Sequence, residues 1–216
     1  MGQYYAPVII NQRSNPEVQQ WFYSHIYGQG LKLMEHSYVN NSFVRAVETY
    51  LLAHPEGLRI VWAGDYADAE PEGESNLYER TYGPNGDDHN WSTSVVYQQG
   101  LQPLYPGFEM DDKVAGSQFV IDTPLANSDD VRFLINHDRK IYIDTANAPL
   151  AYPDEPEWGE YRLNPLPLLS AEGCGRGGGD YADVPGVGSW ARDLLTVASE
   201  PLPHYAPIDF AELLLI

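Results

Sequence analysis

Residues 171–183 read Ala-Glu-Gly-Cys-Gly-Arg-Gly-Gly-Gly-Asp-Tyr-Ala-Asp, and residues 186–190 complete the stretch with Gly-Val-Gly-Ser-Trp. Five of the seven residues from 173 to 179 are glycine, the residue that loses the most backbone entropy when it is ordered. Apolar runs on both sides of the stretch are expected to anchor its ends. We therefore expect an ordered segment in which the backbone closely approaches a strand or a ligand. Its expected place is beside the strand that ends at Trp62, with Trp190 nearby.

The letters of residues 173–178 match the dinucleotide-binding pattern G-x-G-x-x-G, but their surroundings do not. The pattern works when a strand precedes it and a helix follows, because the pyrophosphate then meets the helix N-terminus. Pro165 and Pro167 interrupt the preceding apolar run, and Pro185 follows too closely for a helix to begin in register. A dinucleotide site is therefore excluded.

The glycines leave two interpretations open for Arg176, the single arginine of the stretch. Backbone N–H groups around Gly177 and Gly178, together with the guanidinium, can hold an anion or another ligand. Alternatively, the glycines only permit tight turns, and Arg176 pairs with a neighbouring carboxylate.

A five-residue sequence, Gly-Asp-Tyr-Ala-Asp, occurs at residues 64–68 and again at residues 179–183. In a turn, two carboxylates three residues apart can face one point. Two such turns can bind a divalent cation through oxygen ligands, or can supply an acid and a base. The candidate metal ligands are Asp65, Asp68, Asp180 and Asp183. The alternative is that aspartate serves as a turn and cap residue and that the repeat is a coincidence.

Two adjacent residues, Glu35 and His36, complete a candidate catalytic set with Asp65 and Asp180. They have the composition of an acid–base pair, although neighbours in sequence point apart in both helices and strands. The six histidines include no His-x-x-x-His spacing, so a metal site built on histidines is not expected.

The charge balance is the strongest signal in the composition. The 31 acidic and 12 basic residues give a formal net charge of −19 over 216 residues. Such a surface repels nucleic-acid phosphates and anionic membranes, so a charged partner is expected to be a basic protein or a cation. The alternative is that the charge only keeps the protein soluble. The 16 tyrosines, against 6 phenylalanines, suit half-buried strands and contact surfaces.

A cytoplasmic setting is expected from the cysteine content and from the ends of the chain. Cys174 is the only cysteine, which excludes an internal disulfide and a zinc site built on cysteines. No apolar run approaches the length of a membrane span, and the N-terminus lacks the basic region of a signal peptide.

The spacing of apolar residues predicts one main helix, at residues 42–53, with Phe43, Val47 and Leu51 on its buried face. It also predicts two hairpins and a core strand. The hairpins join residues 4–11 to 18–25 and residues 132–136 to 140–144, and the core strand covers residues 58–62. The expected fold is α+β, a mostly antiparallel sheet with one main helix and long acidic loops, in a single domain over residues 1–216.

Prolines and polar runs give further predictions. Pro7 marks residues 4–11 as an edge strand, and Pro165 and Pro167 predict an extended rather than a helical segment. A short strand at residues 77–82 is expected within the acidic loop of residues 65–88, and a short helix at residues 208–216.

Four segments resemble a group of uncharacterised bacterial and phage proteins. They are residues 33–37 (Leu-Met-Glu-His-Ser), 165–169 (Pro-Leu-Pro-Leu-Leu), 175–181 (Gly-Arg-Gly-Gly-Gly-Asp-Tyr) and 188–191 (Gly-Ser-Trp-Ala). The resemblance spans most of the chain. It implies a bacterial or phage cytoplasmic setting and no catalytic roles.

Two functions remain open. The first is an acidic cytoplasmic binding protein of bacterial or phage origin that engages a basic surface of a partner protein. The alternative is a hydrolase, assisted by a divalent cation or by paired carboxylates, with its site at the two Gly-Asp-Tyr-Ala-Asp turns and the glycine-rich loop.

Overall fold

The structure is a computed structural model that describes residues 3–71, 73, 75–81, 89–97, 117, 119–153, 159–173, 181 and 183–215. Its strands are β1 (Tyr5–Ile10), β2 (Val18–Trp21), β3 (Leu58–Gly64), β4 (Val95–Tyr97), β5 (Phe119–Ile121), β6 (Phe133–Asn136), β7 (Ile141–Asp144), β8 (Ala171–Glu172), β9 (Leu194–Ala198) and β10 (Ala206–Pro207). Its α-helices are α1 (Leu33–His36), α2 (Ser42–Leu52), α3 (Pro165–Ser170) and α4 (Phe210–Leu214).

Eight of the described strands form one sheet, in the order β10-β7-β6-β9-β3-β1-β2, with β8 beside β3. The pairs are antiparallel except β10–β7 and β3–β8, which are parallel. Strands β4 and β5 form a separate parallel pair. The predicted α+β fold with a mostly antiparallel sheet is confirmed.

Both faces of the central strands are buried. Alternate residues of a strand point to opposite faces of its sheet, and in β3 the side chains of Ile60 and Trp62 join the core that contains α2. Those of Val61 and Ala63 join a smaller core on the other face. This burial explains the continuous apolar run from which the core strand was predicted.

Helix α2 forms where it was predicted, and its first turn is capped. The side chain of Asn41 accepts hydrogen bonds from the backbone of Phe43 and Val44, at 2.9 and 3.2 Å, which satisfies two of the N–H groups that lack a partner within a helix. Phe43, Val47 and Leu51 are fully buried. The helix packs on β9, where the hydroxyl of Thr196 donates to the carbonyl of Leu51 at 3.0 Å.

Both predicted hairpins are present, as β1–β2 and β6–β7, but β1 is not an edge strand. It lies between β3 and β2. Proline has no N–H to donate, and Pro7 lies just before Val8, where the β1–β2 ladder begins. The sheet therefore does not need a donor at Pro7, and the Pro7 carbonyl still accepts from the N–H of Phe22 at 3.1 Å. Strand β2 is shorter than predicted, and residues Ser24–Tyr27 form a 3-10 turn.

The segment that contains Pro165 and Pro167 is helix α3, so the prediction of an extended conformation is wrong. Asn164 caps the helix, because its side chain accepts from the N–H of Leu166 at 2.9 Å. Both prolines lie in the first turn, where backbone N–H groups have no acceptor within the helix and their absence costs little.

The predictions of a short strand and of a short C-terminal helix have opposite outcomes. The short strand expected at residues 77–82 is wrong, since Glu79–Thr81 is a 3-10 turn. The short C-terminal helix is confirmed as α4. Of the predicted acidic loop, residues 72, 74 and 82–88 lie outside the described residues.

The flanks of the glycine-rich stretch lie beside the strand that contains Trp62, as predicted. Ala171 pairs with Trp62 through the parallel β3–β8 ladder, and the N–H of Trp190 donates to the Leu169 carbonyl at 2.7 Å. Gly188 has φ +80°, and a Cβ there would lie 2.6 Å from the Ala171 carbonyl oxygen. The backbone therefore approaches β8 closely at Gly188, while residues 174–180 and 182 lie outside the described residues, so the predicted order of the glycine run itself stays a prediction.

None of the described helices combines the length and the apolar character that crossing a membrane requires.

Candidate functional site

His36 is a buried, neutral residue of the core. Its Nδ1–H donates to the Gly30 carbonyl at 3.1 Å, and its Nε2 accepts from Trp62 Nε1 at 3.0 Å. Burial lowers the pKa of His36 to about 4. Both ring nitrogens are therefore engaged within the protein, and the geometry makes His36 a link between α1 and β3.

This burial makes the stability of the protein depend on pH. The unfolded chain binds a proton at His36 below about pH 6.5, whereas the folded pKa is about 4. The contribution of His36 is therefore complete above the unfolded pKa and is lost as the pH falls. We expect the free energy of unfolding from urea titrations to drop by about 2 kcal/mol between pH 7 and pH 5. The amide of His36→Gln can make the same two hydrogen bonds but does not titrate, so this drop in the free energy of unfolding should be absent in the variant. An equal drop in His36→Gln and the wild-type protein would contradict a buried, neutral His36.

Glu35 is exposed and caps the helix that also contains His36. Its Oε2 accepts a hydrogen bond from the backbone N–H of Lys32 at 3.0 Å, which caps the first turn of α1. No hydrogen bond between described residues joins Glu35 to His36, because the ring nitrogens of His36 contact Gly30 and Trp62 instead.

The first Gly-Asp-Tyr-Ala-Asp segment begins where β3 ends. Asp65 Oδ1 accepts from the backbone N–H of Tyr4 at 3.0 Å, and partial burial raises the pKa of Asp65. Asp68 and Asp183 are exposed. The described residues include no group of three or more His, Cys, Asp or Glu side chains that could hold a metal ion.

The meeting of the two segments stays a prediction, because Asp180 lies outside the described residues, as do Arg176, Gly177 and Gly178. The parallel pairing of Ala63 with Glu172 brings the ends of β3 and β8 to the same edge of the sheet. The first segment and the glycine-rich stretch therefore start from neighbouring positions.

An arginine network that the sequence analysis missed lies at this part of the sheet. Arg192 Nε donates to Glu172 Oε2 at 2.6 Å, and its Nη1 donates to Glu70 Oε2 at 3.1 Å. Its Nη2 contacts both carboxylates. Glu70 is only 3% exposed, so Arg192 supplies the charge that a buried carboxylate needs. Arg192 and Glu70 are 122 positions apart in the chain, so no local pattern pairs them.

The network continues through two aspartates. Asp193, 3% exposed, contacts Arg13 and accepts from Arg139 Nε at 2.8 Å. Asp138 accepts from Arg59 Nη1 at 2.8 Å. Burial alone would raise the pKa of Asp138, but hydrogen bonds from Arg59 and from the Leu194 backbone, with the charge of Arg13, lower it to about 2. These pairs join the turn after β1, the start of β3, the β6–β7 turn and the segment before β9.

Internal pairing therefore consumes much of the positive charge. In the described part of the chain, six of the 12 basic residues form ion pairs with carboxylates. The six are Arg13, Arg45, Arg59, Arg132, Arg139 and Arg192. These six arginines contact six carboxylates in total. The set is neutral as a whole, so the net charge of −19 belongs to the groups outside it.

A cavity of about 660 Å³ lies beside α1 and is lined by three tyrosines, Tyr38, Tyr152 and Tyr161, with Met34 and Glu35. We call it the tyrosine pocket. The hydroxyls of Tyr38 and Tyr152 lie 3.0 Å apart, and the ring centroids of Tyr38 and Tyr161 lie 5.4 Å apart. Its volume is within the range of small-ligand sites, and two further described cavities have about 320 and 340 Å³.

Short backbone pairings bring the three tyrosines together from distant parts of the chain. Tyr38 forms a β-bridge with Leu163, and the Val39 N–H donates to the Arg162 carbonyl at 2.9 Å. The N–H of Ala151 donates to the Tyr161 carbonyl at 2.8 Å. The tyrosine count was noted from the sequence, but nothing in the sequence pairs these three residues.

The amide side chains at the pocket have their oxygens engaged. Asn41 caps α2, and Asn40 Oδ1 accepts from Arg45 at 2.9 Å and from Ser128 at 2.7 Å. Gln29 Oε1 accepts from Asn41 Nδ2 at 2.9 Å. Glu35 is the only charged residue among the described lining residues. The described lining thus combines aromatic faces with the carboxylate of Glu35.

No protein-family model, curated protein or solved structure significantly matches the chain.

Proposed function

We propose that the protein is an acidic binding protein that engages a basic surface of a partner protein, with the tyrosine pocket as part of the contact surface. The resemblance noted in the sequence adds a bacterial or phage origin and a cytoplasmic setting to this proposal.

The observation that carries the proposal is the distribution of charge. Six arginines pair with six carboxylates in the described part of the chain, which leaves 25 acidic and 6 basic residues to carry the net charge. A net charge of −19 attracts a basic surface over a distance set by the ionic strength and accelerates its association. The same field opposes direct binding of nucleic acid, whose phosphates need unpaired lysine or arginine.

The tyrosine pocket supports the same function by its composition. Tyrosine is enriched at protein interfaces because its ring buries apolar area while its hydroxyl keeps a hydrogen-bond partner. Tyr161 is 52% exposed and Met34 is 39% exposed. An exposed aromatic and thioether surface next to a carboxylate is typical of a contact site for a cationic segment.

The proposal predicts binding to basic probes with a steep dependence on salt. With fluorescently labelled arginine-rich and lysine-rich peptides, we expect the dissociation constant to rise at least about tenfold as NaCl increases from about 0.05 to about 0.5 M, because the Debye length falls several-fold. An acidic peptide of equal length is the control. The measurement is fluorescence anisotropy at constant protein concentration.

Absence of binding to every basic probe, or binding that salt does not change, would contradict the proposal. The alternative function, a carboxylate- or cation-assisted hydrolase, is supported by the parallel pairing that brings the ends of β3 and β8 to one edge of the sheet. Saturable Mg²⁺ or Mn²⁺ binding that Asp65→Asn removes, in a protein that binds no basic probe, would favour the alternative.

A further inference from the structure

We propose that the tyrosine pocket receives an arginine side chain of the basic partner, with the guanidinium stacked on tyrosine rings and paired with Glu35. The inference rests on the proposed function and names the chemical group that this one site recognises.

The aromatic wall fits a planar cation. A guanidinium stacks on tyrosine faces through cation–π attraction and sheds its water more readily than an ammonium does. The rings of Tyr38 and Tyr161 are inclined by 53° with centroids 5.4 Å apart, so they present adjoining faces rather than a closed stack. Tyr161 is 52% exposed and is reached from solvent.

Glu35 provides the matching charge. Its Oε2 is held by the Lys32 backbone N–H, which fixes the carboxylate, while its Oε1 accepts no hydrogen bond from a described residue. No ion pair in the described part of the chain includes Glu35. A carboxylate fixed in this way can accept charge-assisted N–H bonds from a guanidinium.

The remaining polar groups at the pocket do not compete for this role. The side-chain oxygens of Gln29, Asn40 and Asn41 already accept hydrogen bonds within the protein. Among the described lining residues a neutral polar ligand would therefore find few free amide oxygens, whereas a cation finds the carboxylate of Glu35. The volume of about 660 Å³ exceeds that of one side chain, so residues that flank the arginine also have room.

Two pocket variants and two matched surface variants test the inference. Tyr161→Leu removes an exposed ring, and Tyr66→Leu removes another exposed ring, 42% exposed, outside the pocket. Glu35→Gln removes the charge but keeps an oxygen for the helix cap, and Glu56→Gln removes an exposed carboxylate elsewhere. The probes are three labelled peptides of equal length that carry arginine, lysine or the neutral isostere citrulline at the same positions.

For the arginine peptide at low salt, we expect the dissociation constant to rise about fivefold in Tyr161→Leu and about tenfold in Glu35→Gln. The two surface variants should change it less than about twofold. The lysine peptide should bind the wild-type protein more weakly than the arginine peptide does, and its affinity should fall less in Tyr161→Leu. The citrulline peptide should not bind. Circular dichroism confirms that each variant is folded.

If affinity for the arginine peptide falls equally in the pocket and surface variants, while the wild-type protein still shows salt-dependent binding, the arginine site is wrong. The proposed function would then still hold. Equal affinity for the arginine and lysine peptides in every variant would overturn the arginine site as well. If the wild-type protein binds neither cationic peptide, the proposed function itself fails and the inference falls with it.

Discussion

Val47→Asp is expected to abolish cooperative folding. Val47 lies in the middle of α2, is fully buried and belongs to the main core, and no described basic side chain is positioned to pair with a new carboxylate there. Burying an unpaired charge costs several kcal/mol or forces the group to stay protonated. That loss is comparable with the whole stability of a typical domain, about 5–15 kcal/mol.

Urea titration followed by circular dichroism and tryptophan fluorescence measures the effect. Val47→Ala separates the loss of volume from the burial of charge, and should lower the free energy of unfolding by only about 1–3 kcal/mol. Ala53→Asp places the same charge at the exposed end of the helix and should leave a folded protein. A Val47→Asp variant that is soluble and unfolds cooperatively would show that this helix face is not packed as described.

Arg192→Leu is expected to destabilise the protein by about 3–5 kcal/mol, the range for removing one partner of a buried ion pair. The loss arises mainly at Glu70, which is 3% exposed and would keep its charge without a partner. Glu172 contributes less, because its side chain is 26% exposed. Arg80→Leu is the matched control, since Arg80 donates to the Pro16 carbonyl and forms no ion pair with a described residue.

A second substitution isolates the contribution of the buried carboxylate. Adding Glu70→Gln should recover part of the loss at pH 7. Arg192→Leu that is as stable as Arg80→Leu, or a double variant no better than the single one, would remove the basis for this assignment.

Local patterns in the sequence predicted the elements whose determinants are local. Helix α2 carries apolar residues on one face behind an asparagine cap, and its bounds match the prediction within a residue or two. The β6–β7 hairpin was predicted because its two β-rich arms are joined by a short turn. In both elements the residues that determine the conformation are close together in the sequence.

The two wrong predictions that rested on prolines share a physical cause. Pro167 argued against a helix, but its position within α3 depends on where Asn164 places the cap. Pro7 argued for an edge strand, yet β1 is interior because the missing N–H lies at the end of one ladder. A proline removes one donor, and only the position of the neighbouring strand or cap decides whether that donor was needed.

The candidate site shows the same division more sharply. The sequence marked Glu35 and His36 as a pair, whereas the structure assigns His36 to the core and Glu35 to the pocket. Tyr38 meets Tyr152 across 114 positions of the chain, and Arg192 meets Glu70 across 122. A single sequence contains no local signal for such contacts.

Composition and periodicity follow directly from the order of residues, so they predicted the α+β class, the acidic net charge, the main helix and the two hairpins. The packing of distant elements sets which arginines form ion pairs, which carboxylate lines a pocket and which tyrosines surround it. The reason is that these properties depend on how β8 and β9 pack beside β3, and on the pairing of residue 38 with residue 163. Burial and partner choice are set by elements that are far apart in the chain.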